Sequence, residues 1–132
     1  MSDVRENAGR CLCGAVWYAV SGPLRPVIDC HCERCRRFTG HYLAATSATL
    51  SDVAIEDPDD QLSWFPVPGA EYGFCRTCGA SLFWRAESSP DVLSIGAGTL
   101  EAPTGLVTTQ AIWVSQASDY FTRPDLPEQE TE

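Results

Sequence analysis

Seven cysteines carry most of the chemical information in this chain, and they fall into three clusters: Cys11-Leu12-Cys13, Cys30-His31-Cys32-Glu33-Arg34-Cys35 and Cys75-Arg76-Thr77-Cys78. Thiolates at such short spacings are soft donors of the kind that hold zinc. A closed tetrahedral zinc takes four sulfurs, whereas a working zinc keeps three protein ligands and one open position. Seven divides into four and three. The count therefore suggests one ion that holds the fold and a second that meets a substrate.

The partition follows in part from what comes after each cluster. Cys13-Gly14 and Cys78-Gly79 both place a glycine behind the second cysteine. Glycine admits positive φ, so the following backbone amides can turn toward the sulfurs. Cys11, Cys13, Cys75 and Cys78 are thus expected to form the closed site, leaving Cys30, Cys32 and Cys35. Spacing alone does not force this. Cys32-x-x-Cys35 with Cys75-x-x-Cys78 would also make a four-sulfur site. Two simpler readings compete: one zinc with three buried free cysteines, and a dithiol switch at Cys32-x-x-Cys35. Three cysteines within six residues, around a histidine and beside arginines, do not resemble core packing. A redox motif would want a βαβ context, which is missing.

The elements that must position these sulfurs read as short strands: Ala15–Val20, Tyr42–Leu50, Val53–Ile55, Leu62–Phe65, Glu71–Phe74, Ser81–Arg85, Val92–Ile95 and Ala111–Val114. They are rich in β-branched and aromatic residues, and proline or glycine punctuates the gaps. Glu33–Phe38, stopped by Thr39-Gly40, is the one helical stretch. The pattern predicts an all-β domain of short antiparallel strands with at most one short helical turn. Residues 1–8 read as a flexible tail, 9–127 as a single zinc-binding β domain, and 128–132 as a frayed acidic tail. A structural zinc contributes about 10–16 kcal/mol in small peptides, against a net domain stability of about 5–15 kcal/mol. Loss of the closed site is therefore expected to unfold the protein.

Composition narrows the partners. The formal net charge is −9, and all nine cationic side chains are arginines. An acidic surface repels phosphates and anionic lipid, so neither nucleic acid nor membrane is an expected partner. No apolar run reaches the length of a membrane span. The polar start, Met1 to Asn7, has no secretory h-region, and odd-numbered, closely paired cysteines suit a reducing compartment. A cytoplasmic location is the expectation.

The motifs together resemble a known family. Gly9–Gly14, Cys30-His31-Cys32-x-x-Cys35-Arg36, Gly73-Phe74-Cys75-x-x-Cys78-Gly79 and Leu82-Phe83-Trp84-Arg85 are similar to the glutathione-dependent formaldehyde-activating enzyme family, also called S-(hydroxymethyl)glutathione synthase, which is related to the centromere protein V domain. Asp91–Ile95 and Ile112-Trp113-Val114 resemble its later strands. The resemblance spans about residues 9–127. It implies a β-tent fold with two zincs per chain, one on Cys11, Cys13, Cys75 and Cys78 and the other on Cys30, Cys32 and Cys35. One departure stands out: the family usually carries a histidine just before the Ile-aromatic pair, where this chain has Gln110-Ala111, and Tyr120 stands where a tryptophan is expected.

A zinc with three thiolates already carries a net negative charge and is a poor acidifier of water. Exchange of its fourth ligand for another sulfur suits it better. The resemblance then implies carbon–sulfur lyase or synthase chemistry on a glutathione–formaldehyde adduct, with Cys30, Cys32 and Cys35 as the catalytic trio. Arg34, Arg36 and Arg37 lie beside that trio in sequence. Arg36 and Arg37 are the expected partners of glutathione's carboxylates. His31 lies between two ligands and, by alternation, points away from them; His41 reads as a polar loop residue. Most aromatic residues read as core, with Trp64-Phe65 flanking a loop as the exception. The alternative is a non-catalytic zinc-stapled module, a glutathione carrier or a protein-interaction domain.

Overall fold

A computed structural model describes residues 6–132; residues 1–5 of the expected N-terminal tail lie outside the described residues. Among the described residues the domain is all-β, with ten strands in two sheets and a single α-helix. The small sheet is β1 (Glu6–Arg10), β2 (Trp17–Ser21) and β5 (Val53–Glu56). The large sheet runs β10 (Thr108–Ile112), β3 (Val27–Cys30), β4 (Leu43–Thr49), β9 (Val92–Gly96), β8 (Ser81–Ala86), β7 (Ala70–Cys75) and β6 (Leu62–Val67). Pairing is antiparallel throughout except between β10 and β3, which run parallel. The helix α1, Glu33–Thr39, is one turn longer than a single helical turn and ends on Gly40 in the left-handed region at φ 85°. Among the described residues no helix is long and apolar enough to cross a membrane.

Alternation decides which faces meet. In β2, Tyr18 and Val20 are buried while Trp17 and Ser21 are exposed. In β9, Leu93 and Ile95 are buried on the same face. These side chains, with Val16, Ala48, Leu82, Phe83 and Leu100, form the core between the two sheets. A bulge in the β7–β8 pairing lies between Gly73 and Phe74. It lets the consecutive residues Leu82 and Phe83 both face the core. Tyr18 packs edge-on against Phe83, ring centroids 5.2 Å apart. Its hydroxyl donates to Thr99 Oγ1 at 2.6 Å, while Thr99 Oγ1 donates to the Gly96 carbonyl.

Both ends of the domain are more ordered than the sequence indicates. Residues 6–8 form part of β1 rather than a loose tail, paired with Ala19, Val20 and Ser21. The segment after Pro127 also departs from the frayed reading. It runs along β10, with bonds from Ala111 N–H to the Pro127 carbonyl and from Gln129 N–H to the Ala111 carbonyl. Polarity concealed both segments: neither has the apolar run that marks a strand, and each is held through its backbone. β3 was also missed, since Val27-Ile28-Asp29-Cys30 offers only two β-branched residues beside a motif that reads as a metal loop.

Two knuckles join the sheets. Cys11 and Cys13 follow β1 of the small sheet; Cys75 ends β7 of the large one, and Cys78 lies in the turn to β8. The two loops are built alike. Cys11 N–H donates to the Val16 carbonyl at 3.0 Å, and Cys75 N–H to the Ala80 carbonyl at 3.1 Å. Gly14 and Gly79 adopt φ of 82° and 79°. Beyond them the backbone amides of Ala15 and Ala80 reach the sulfurs of Cys13 and Cys78. The four Sγ atoms lie within 4.8 Å of one another. A zinc–sulfur bond of about 2.3 Å sets the edge of a tetrahedron of sulfurs at about 3.8 Å. Cys11–Cys13 at 3.6 Å and Cys13–Cys75 at 3.8 Å match that edge.

Cys78→Ser is expected to yield insoluble or unfolded protein, because one knuckle then loses its ion and the sheets lose their clasp. Soluble Cys78→Ser protein with a native circular dichroism spectrum would contradict this. Gly9→Ala tests the core seam independently: an added Cβ would sit 2.6 Å from the Thr99 carbonyl oxygen and against the Tyr18 hydroxyl. The expected cost in urea unfolding is about 1–3 kcal/mol, the usual range for overpacking.

Candidate metal centre and its cleft

The large sheet has a second face, opposite the core, and there the remaining cysteines gather. Cys30 closes β3, Cys32 caps α1, and Cys35 lies in its first turn. The strand-to-helix junction therefore delivers all three sulfurs, which lie within 4.8 Å of one another. Cys32 is both a possible ligand and the N-cap: its sulfur accepts the Cys35 N–H at 3.4 Å. Cys35 is buried and meets the Tyr72 hydroxyl at 3.3 Å. Tyr72 and Cys75 are three residues apart on β7, so their side chains leave opposite faces. One strand thus contacts both sulfur clusters.

Electrostatics in the trio favour a cation. Hydrogen bonds from Cys30 and Cys35 pull the Cys32 thiol down to about 2. The same contacts push Cys30 up to about 11 and drive Cys35 upward as well. Without a cation, three sulfurs so close oppose one another's ionisation. A divalent metal would let all three ionise together, because it supplies the compensating charge on the spot. The donor set and spacing therefore fit zinc in both clusters.

The trio opens on a cleft of about 570 Å³. Its floor is a row of side chains across successive strands of the large sheet: Ile112 of β10, Ile28 and Cys30 of β3, Leu43 and Ala45 of β4, Ser94 of β9, Trp84 of β8 and Tyr72 of β7. The first turn of α1 forms one wall with Cys32, Glu33, Arg34 and Cys35, and Arg25, Trp113, Gln116 and Glu132 complete the rim. The floor is apolar and aromatic. The charged groups are at its edge.

The arginines divide differently from the sequence expectation. Arg36 Nε donates to the Gln116 carbonyl at 2.8 Å, and Arg37 pairs with Glu33 at 2.9 Å on the exposed side of α1. Neither lines the cleft. Arg34 does, with its Nη1 donating to the Pro68 carbonyl at 3.0 Å. Arg25 also lines it, half-buried, with Nη2 donating to the Ala45 carbonyl at 2.7 Å and its pKa lowered by burial. Nothing near Leu24-Arg25-Pro26 in the sequence marks Arg25. Only the pairing of β3 with β4, where Arg25 bonds the Ala45 and Ser47 carbonyls, brings it to the cleft.

Other sequence candidates are placed as follows. His31 points away from the cleft, 1 % exposed, tilted against Tyr42 at 4.7 Å and stacked on Phe121 at 5.9 Å between ring centroids. Burial holds its imidazole below the usual value, and neither ring nitrogen has a hydrogen-bond partner among the described residues. His41 Nδ1 bonds the Tyr120 hydroxyl. Gln110, where the family usually carries histidine, accepts from Gln129 Nε2 at 3.2 Å and stays out of the cleft. Gln116 does enter it, and its Oε1 accepts the Glu33 N–H at 2.7 Å. Phe83 belongs to the core, Trp84 and Trp113 to the cleft. Trp64 sits under the Arg85 guanidinium at 3.8 Å, and Phe65 is exposed.

Comparison with known proteins agrees with this arrangement. Residues 6–116 match the family model described as glutathione-dependent formaldehyde-activating enzyme. A crystal structure of a Rhodobacter sphaeroides protein superposes with a TM-score of 0.61 at 30 % identity, covering 76 % of this chain and 97 % of that one. With the family model matched across most of its length and through all three cysteine clusters, the chain belongs to the glutathione-dependent formaldehyde-activating enzyme family.

Proposed function

We propose that this protein is a zinc-dependent carbon–sulfur lyase or synthase that forms and cleaves the adduct of glutathione with formaldehyde, working in a reducing compartment such as the cytoplasm. The observation that carries this reading is the trio of Cys30, Cys32 and Cys35, gathered at the wall of a cleft large enough for a small peptide thiol. When bound there, zinc offers a position for a further sulfur and favours its thiolate form. The family is one of formaldehyde-activating enzymes, which supplies the electrophile.

The balance of the reaction is simple. The thiol loses its proton, its sulfur attacks the aldehyde carbon, and a carbon–sulfur bond forms. The carbonyl π pair moves to oxygen, which takes up a proton to give a hemithioacetal. The reverse breaks the same bond, and no electrons are exchanged with another reagent. The chain's own residues supply position and surroundings. Tyr72 fixes the Cys35 sulfur through its hydroxyl. Trp84 and Trp113 give the cleft apolar walls that keep water away from the aldehyde. Arg25 and Arg34 carry the positive charge that suits glutathione's carboxylates. Arg36 and Arg37 act one step back, tying α1 to Gln116 and to Glu33.

Cys32→Ser in the full chain separates this reading from a purely structural one. The variant is expected to fold, to lose one zinc per chain, and to lose more than about 100-fold of turnover, beyond the 10–100-fold that a group supporting a metal ligand usually costs. Rates must be read above the uncatalysed combination of glutathione with formaldehyde. Turnover that survives in a folded Cys32→Ser protein would overturn the proposal.

A further inference from the structure

Beyond residue 116 the chain leaves the span matched by the family model, yet it returns along β10 and reaches the cleft at Glu132. From Pro127 to Thr131 they run along the edge of β10, bonded through the backbone. Besides the two bonds to Ala111, Trp113 N–H donates to the Thr131 carbonyl at 3.0 Å, Val114 N–H to Gln129 at 3.1 Å and Ser115 N–H to Glu130 at 3.2 Å. Ser115 Oγ also donates to the Glu130 carbonyl at 2.6 Å. Arg123 and Glu128 close the loop that precedes this stretch with an ion pair at 2.7 Å.

The segment does two things at the cleft. It fixes Trp113, which holds φ 56°, a left-handed conformation that a tryptophan adopts only when its neighbours impose it. The Thr131 bond on one side and the Gln116 N–H bond to the Trp113 carbonyl on the other impose it here. It also brings Glu132 to the rim. Two glutamates, Glu33 and Glu132, therefore line a cleft that also holds Arg25 and Arg34. Glu33 is spent on Arg37. Glu132 forms no ion pair within 4.0 Å among the described residues, so its charge is available to a ligand.

Cations beside anions in one small cleft suit a zwitterion. We propose that Glu132, held by the 127–131 segment, is a specificity residue that takes the ammonium group of the thiol substrate while the arginines take its carboxylates. The inference rests on the thiol reading above and narrows it: the preferred substrate is a thiol carrying a free amino group as well as carboxylates. A thiol without the amino group, or with it acylated, binds less well.

The test measures binding by calorimetry to the zinc-loaded full-length protein, wild type against Glu132→Gln and Glu132→Arg, with glutathione, N-acetylglutathione and 2-mercaptoethanol. Wild type is expected to favour glutathione over the N-acetyl form. Glu132→Gln should weaken glutathione about fivefold, the upper end for a solvent-exposed ion pair. Glu132→Arg should weaken it further, with N-acetylglutathione and 2-mercaptoethanol affected less than twofold. Equal effects on all three thiols, or none on glutathione, would overturn the role of Glu132 while leaving the thiol site standing. Absence of binding by any thiol would instead remove the thiol reading, and this inference with it.

Discussion

Charge repulsion among closely packed sulfurs is the constraint on which this structure depends. The fold brings seven cysteines into two clusters whose sulfurs lie within 4.8 Å of one another. As thiolates they would repel, and as thiols they would waste the turns that aim backbone amides at them. A dication resolves both. In the quartet a bound dication would clasp the two sheets together. In the trio the same physics leaves three ligands on a strand-to-helix junction, open toward a cleft. Tyr72 and Cys75, on opposite faces of β7, make the two clusters neighbours across a single strand.

The division of labour between the two faces of the large sheet follows from alternation. Ile95 and Phe83 are register partners, and both face the core; Ser94 and Trp84 are the next pair, and both belong to the opposite side, where Trp84 and Ser94 line the cleft. A one-residue slip would exchange core for cleft. Local charge likewise runs against the global balance. The chain carries −9 overall, yet its cleft holds two arginines beside two carboxylates.

Much of this was legible in the residues. The Cys-Gly pairs at 13–14 and 78–79 announced the knuckles, because a positive φ after the second ligand is a local requirement that glycine satisfies. Most strands were legible because β-branched and aromatic runs broken by proline and glycine have few other readings. What stayed hidden was long-range. Arg25 reaches the cleft only through the β3–β4 pairing. Glu6–Ala8 and Pro127–Thr131 are polar segments whose order comes from backbone bonds to a neighbouring strand, which side-chain patterns do not report. Arg36 and Arg37 stand beside the trio in sequence, and Arg36 belongs to the Cys-x-x-Cys-Arg motif that carries the family resemblance. The helix carries successive residues around its axis, and only Arg34 of the three emerges on the cleft side.

The central claim is a division of sulfur between a sealed ion and an open one. Zinc content per chain, with X-ray absorption at the zinc edge recorded before and after adding glutathione, tests it most directly. Two zincs per chain are expected, with seven protein sulfurs between them and one further sulfur gained when glutathione is added. A single zinc per chain, or a sulfur count that does not change with glutathione, would contradict the account.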